Sequence, residues 1–264
     1  LWGTELVGEH LEDFGLRRLL KLSRSTSEKD IREHFTPNLK IFLEEVKYGC
    51  KNPKRLGEAL YNMHEFLTKH NYRKTFRSEH VWNTIREEFV RDKFYSHMSV
   101  YFLIEFSNIL KQYFRLLAYE YPEVDACHSS AAALCGIPGI ILRMKYGTPY
   151  LITEHGVYFR ERLLDITMEM SIVERILWVN MFRTMVIANY NLADKIMPVC
   201  KYNISWEAEL KTPKEKIHTT VIIIANVILS IDATVYTSIS VQSCHLYTWK
   251  IFIYVSTLSL SSSN

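Results

Sequence analysis

The chain is short of the features that mark the more specialised protein classes. Its five cysteines (50, 127, 135, 200 and 244) are an odd number, widely spread and without a Cys-x-x-Cys pair. That argues against a disulfide-built scaffold and a zinc site, and it suits buried thiols in a reducing compartment such as the cytoplasm. A one-signed charge excess is missing too: the net +3, with both signs interspersed, is too mild to point to a nucleic-acid partner. No apolar run reaches the ~18–20 residues of a membrane span; Asn226, Asp232 and Lys250 break the longest ones. No Gly-x-Ser-x-Gly elbow surrounds Ser129 or Ser130, so neither reads as a hydrolase nucleophile. No fixed-period repeat, initiator methionine or signal-peptide pattern is present, and Leu1-Trp2-Gly3-Thr4 reads as the interior of a longer protein. What remains is an ordinary soluble composition, 48% hydrophobic and 23% charged over 264 residues, with ample material for a core.

Residues 1–120 read almost wholly as helix. Ser27 offers an N-cap, with Asp30 in the capping-box position, and Ile31, Phe35, Leu39, Phe42, Leu43 and Val46 follow at three- and four-residue spacing. Pro37 is expected to kink or divide that helix, since proline lacks the amide the helix needs. A second pattern carries Leu56, Leu60, Met63, Phe66 and Leu67, and a third Val81, Ile85, Phe89 and Val90. A fourth, from about 95 to 119, is apolar on most faces and is expected to lie inside. The polar tracts near 47–55 and 69–79 are the expected connections.

From 121 to 226 the texture changes to strands alternating with helices, which argues for parallel pairing in a doubly wound, Rossmann-like sheet. Val124–Cys127 is a short strand expected to end at His128, with Ser129 or Ser130 capping a helix through Ala131–Leu134. Residues 140–146 recover helical character, and 149–153 form the next strand. A long helix is expected from about Thr167 to Asn191, with Ile172, Ile176, Val179, Phe182, Val186 and Tyr190 on one face. Residues 195–200 read as a strand, 201–211 as a short helix and 218–224 as a β-branched strand. Residues 227–264 have no clear period and read as an atypical, β-rich and poorly ordered tail.

The stretch Tyr150 to Arg162 carries the chemistry. An apolar run, Tyr-Leu-Ile-Thr, stops abruptly at Glu154-His155-Gly156, where an open α/β sheet binds ligands beyond the carboxyl ends of its strands. His155 exchanges protons near neutral pH, Gly156 permits close approach, and Arg160 and Arg162 supply guanidinium groups one turn away.

Asp125-Ala126-Cys127-His128-Ser129-Ser130, Thr153-Glu154-His155-Gly156-Val157-Tyr158, Arg160-Glu161-Arg162 and Tyr190-Asn191-Leu192-Ala193-Asp194-Lys195-Ile196, in that order, resemble the PelF-like branch of the family 4 glycosyltransferases. The resemblance spans roughly residues 120 to 225. It implies the N-terminal, acceptor-side part of a GT-B enzyme that transfers a hexose from a nucleotide-sugar, UDP-glucose in the PelF-like members, with retention, in polysaccharide synthesis. It implies no metal or other cofactor. In such enzymes a histidine at the end of this strand lies beside the transferred sugar and acceptor; His155 matches it by motif, which makes it the candidate catalytic residue. Glu154, Gly156, Arg160, Arg162 and His128 are the candidate substrate-binding residues, with helix capping as the alternative for His128 and solvated ion pairs for the arginines.

The sequence also departs from that family. A Gly-Gly-rich first turn is missing, Val221-Ile222-Ile223-Ile224-Ala225-Asn226-Val227 lacks the proline and glycine of the usual strand-turn, and no donor-side domain with paired glutamates follows. The expectation is a fragment with little transferase activity of its own. Two other readings stay open: a non-catalytic α/β interaction module, and a helical adaptor built on residues 1–120.

Overall fold

The computed structural model describes Leu22 and residues 25–166 and 169–218. A helical run opens it. Ser27 accepts the Asp30 amide at 3.1 Å, as the capping position predicts. Glu28–Asp30 then passes into a π-type turn, Ile31–Phe35, and on into α1, Thr36–Tyr48. Pro37 sits in the first turn of α1, immediately after the Thr36 amide has reached back to the Ile31 carbonyl, so the proline divides the run where its missing N–H would otherwise leave a gap. Gly49, at φ 69°, ends α1 in the left-handed region.

Asn52 and Pro53 then start α2, Pro53–Lys69, followed by α3, Tyr72–Arg77, α4, Glu79–Val90, and α5, Val100–Tyr113. The apolar positions expected of the first two helices are buried. Three expectations need correction. α3 forms inside the polar tract expected to be a connection, anchored by Phe76 against Phe35 at 5.5 Å. Val90, expected on the buried face of α4, is 52% exposed. The 95–119 segment is not one interior helix: 3-10 turns at Tyr95–His97 and Phe114–Ala118 flank α5. α5 buries Phe102, Leu103, Phe106 and Leu110 but leaves Val100, Tyr101 and Ile104 facing out.

The remainder is α/β, with three parallel strands in the order β1 (Cys127–Ser129), β2 (Tyr150–Glu154), β3 (Lys195–Pro198). Helix α6 (Ile137–Tyr146) crosses from β1 to β2, and α7 (Tyr158–Asp165) and α8 (Ile172–Leu192) from β2 to β3. Helix α9 (Lys201–Glu209) follows, and Ile217 bridges Ile196 in parallel. This open parallel sheet is the partial Rossmann-like arrangement expected. The remainder of the expected 218–224 strand, and the tail at 227–264, lie outside the described residues.

Two local expectations shift. No helix covers Ala131–Leu134; a 3-10 turn at Leu134–Gly136 precedes α6, whose N-cap is Gly136, so neither Ser129 nor Ser130 caps it. Helix α8 starts at Ile172, because Ser171 and Glu174 form a reciprocal capping box there. Its deeply buried face runs through Leu177, Met181 and Ala188, and Ile172 is exposed.

Close packing fixes β2. A Cβ on Gly139 would come within 2.3 Å of the Tyr150 ring, so only glycine lets α6 lie this near the strand. The Tyr150 hydroxyl donates to Asn189 Oδ1 at 2.6 Å, and Asp194 accepts both the Tyr150 amide at 2.9 Å and Arg143 at 2.7 Å. Register and helix are therefore locked by the same few polar groups.

Candidate functional site

Strand alternation sends neighbouring residues of β2 to opposite faces. Thr153 takes one face with His128 of β1, whose Nε2 lies 2.8 Å from the Thr153 hydroxyl. His128 belongs to the strand itself, paired with Leu151, instead of following it as the sequence suggested. It is half-buried, and burial, with the neighbouring His155, holds its pKa below the ordinary histidine value. The imidazole therefore favours the neutral form, able both to donate and to accept. His155, just past the strand end, is exposed.

Glu154 faces the other way and is fully buried. Its carboxyl accepts the Ala132 amide at 3.2 Å and the Tyr158 amide, at the first turn of α7, at 3.4 Å. Glu154 thus closes the turn from within, and its side chain does not share the surface on which His155 stands. Burial pushes its pKa up to about 8. Glu207 of α9, also fully buried, is pushed up to about 7 for the same reason, and neither of its carboxyl oxygens has a hydrogen-bond partner. The Tyr190 hydroxyl stands near both acids without a hydrogen bond of normal geometry. Burial therefore favours the protonated form of both carboxyls.

Gly156 does not adopt a positive φ; its missing side chain makes room for Glu161, whose Oε1 would lie 2.5 Å from an added Cβ. Of the two arginines, Arg160 is exposed, its guanidinium 5.7 Å from the centre of the Tyr202 ring. Arg162 is half-buried, paired with Asp165 at 2.8 Å and packed over Tyr158 at 5.4 Å. The structure therefore brings His155, His128 and Thr153 together at the rim, while Arg160 stands exposed against Tyr202 and Arg162 is engaged within α7.

Sequence reading missed the contribution of α9. The Asn203 amide, 3% exposed, donates to the Glu154 carbonyl at 2.7 Å, and the Val199 amide reaches the same oxygen at 3.3 Å. The one available signal was the polar pair Asn203 and Glu207, four residues apart on one face of a short helix.

Among the described residues no group of three or more His, Cys, Asp or Glu is arranged to hold a metal ion, and no helix is long and apolar enough to cross a membrane. Searches of curated proteins and of solved structures return no match. A family model matches residues 9–215, taking in every strand and helix just described. On that match, which covers well over half its length, this chain belongs to the family described as domain of unknown function DUF3492, a domain found in glycosyltransferase-like proteins.

Proposed function

We propose that this chain is the acceptor-side part of a retaining, cytoplasmic glycosyltransferase that moves a hexose from a nucleotide-sugar, UDP-glucose in kind, in polysaccharide or glycan synthesis. One observation carries the reading: an exposed imidazole follows the carboxyl end of the middle strand of a parallel sheet, where ligands of such sheets gather. The family membership and the Thr153-to-Arg162 motif support it.

In this reading His155 hydrogen-bonds a sugar hydroxyl and holds it for attack, so that orientation supplies much of its effect. His128, neutral and already bonded to Thr153, lines the same rim and offers a second polar contact. Arg160 meets a diphosphate or an acidic acceptor, and Arg162 stiffens α7 behind it. Glu154 and Gly156 shape the turn; Glu154 acts from beneath, through the amides it holds. No metal enters the scheme.

The test is calorimetric titration of the chain with UDP-glucose and with maltose. Saturable binding of at least one is expected, weakened about tenfold or more by His155→Ala with an unchanged melting temperature. Absence of binding by the unmodified chain, or a His155→Ala variant that binds equally well, sinks the proposal. A second reading, a non-catalytic interaction module, draws on the outward face of α5, where Val100 and Tyr101 are 60% and 70% exposed; it gains ground if sugars leave the chain untouched.

A further inference from the structure

The buried face of α9 is polar where a helix of nine residues would ordinarily bury apolar side chains. Its inward residues Asn203 and Glu207, one helical turn apart, both approach Glu154, the first at its main-chain oxygen and the second at its carboxyl. The main-chain contact has a specific geometric consequence. The Glu154 carbonyl and the His155 amide belong to one rigid peptide plane, so whatever fixes the carbonyl fixes where the His155 Cα, the point from which the imidazole departs, leaves the strand. Two donors hold that oxygen, the Val199 amide at 3.3 Å and the shorter Asn203 amide at 2.7 Å. Asn203 is itself held, since its Oδ1 accepts Cys200 Sγ at 3.2 Å, and it is 3% exposed. A buried side-chain amide held on both sides is a rigid support, and the turn it supports ends in the exposed His155.

We infer that Asn203 is a positioning residue for His155: its amide sets the peptide plane from which the imidazole is presented at the sheet rim. The inference deepens the glycosyltransferase reading by naming what aims its central residue, and it rests on that reading for its functional meaning. Its geometric content can be tested separately.

The experiment is nuclear magnetic resonance on the full chain at neutral pH, following the His155 and Gly156 amides and the His155 ring. In the unmodified protein a coupling across the hydrogen bond between Asn203 Nδ2 and the Glu154 carbonyl carbon is expected, and it requires no variant. Asn203→Ala should displace the His155 amide and ring signals. Asn203→Asp should displace them further, because a carboxylate then faces the carbonyl oxygen. Asn191→Ala is the matched control: it removes an amide-to-carbonyl bond of similar length, 2.9 Å to Ile187, elsewhere in the fold, and should leave His155 alone. Affinity for whichever sugar probe binds, maltose or UDP-glucose, should fall about tenfold with Asn203→Ala. Absence of the coupling overturns the inference; so do His155 signals that stay in place in a folded Asn203 variant. If no sugar shifts His155 in the unmodified chain, the glycosyltransferase reading fails while the coupling and the variant shifts still decide the role of Asn203.

Discussion

Two regions of this molecule bury their interiors with different chemistry. Between α1, α4, α5 and α8 the interior is closed by rings: Phe42 on Phe114 at 4.8 Å, Phe89 on Phe106 at 5.6 Å, Phe106 on Trp178 at 5.4 Å. Around the end of β2 it holds two carboxyls, a phenol and an asparagine amide. Aromatic burial is insensitive to pH and asks only for shape. A buried polar cluster is costly unless each group is matched, and it gives a specific local geometry in return. The contrast separates a region whose task is to hold the fold from one that holds a particular turn in a particular direction.

The comparison can be broken most forcefully through the rings. Phe106 is fully buried and touches Phe89, Phe102 and Trp178, so Phe106→Ala should cost about 3–5 kcal/mol in urea unfolding. A loss below about 1 kcal/mol would mean that this core is not close-packed.

Next in size is the response to pH. Glu154 and Glu207 bind protons more tightly in the folded chain, at about 8 and about 7, than at the ordinary 4.5. Their contribution to stability is therefore complete below about pH 4.5 and is lost as pH rises through 7 to 8, a fall of a few kcal/mol. The buried His64 and the half-buried His128 have the opposite sign: held below the ordinary 6.5, they contribute above that pH and lose their contribution as it falls. Unfolding free energy measured across pH 5–9 should decline towards about pH 8 and level off above it, and Glu207→Gln should remove part of that decline. A stability that does not fall between about pH 6.5 and 8 in the unmodified chain would show that the acids are matched in some other way.

Much of this was legible in the sequence. The period of α1, α2 and α4 named most of their core residues because those helices bury one face against several neighbours, and a 3.6-residue stripe is what such a face requires. β2 was legible because an apolar run ended at a charged turn. His128 was misplaced because a three-residue strand has too few alternations to fix its own ends; the pairing with β2 does that. α5 misled for a related reason. Its composition is apolar all round, and composition alone does not say which side meets the rest of the fold. Glu154 looked like a ligand-facing acid because pattern cannot distinguish a residue at the rim from one turned inward beneath it. Asn203 was invisible, since its partner lies 49 positions away in sequence.

A middle-sized test concerns the link between the two halves of the β2 environment. Asp194→Ala removes the acceptor for both Arg143 and the Tyr150 amide and should cost about 1–2 kcal/mol, discounted because the ion pair is one-third exposed. The smallest effect is expected on the outer face of α5: Tyr101→Ser should change thermal stability by less than about 0.5 kcal/mol, since the ring is 70% exposed. A larger loss there would indicate that this face is covered in solution.

The most direct measurement follows the imidazole signals of His155, His128 and His64 while UDP-glucose or maltose is added. The account predicts a saturable shift at His155, a smaller one at His128 beside it, and none at His64, which is buried among the helices. A His155 signal that does not move at saturating sugar, or one that moves no more than that of His64, would contradict it.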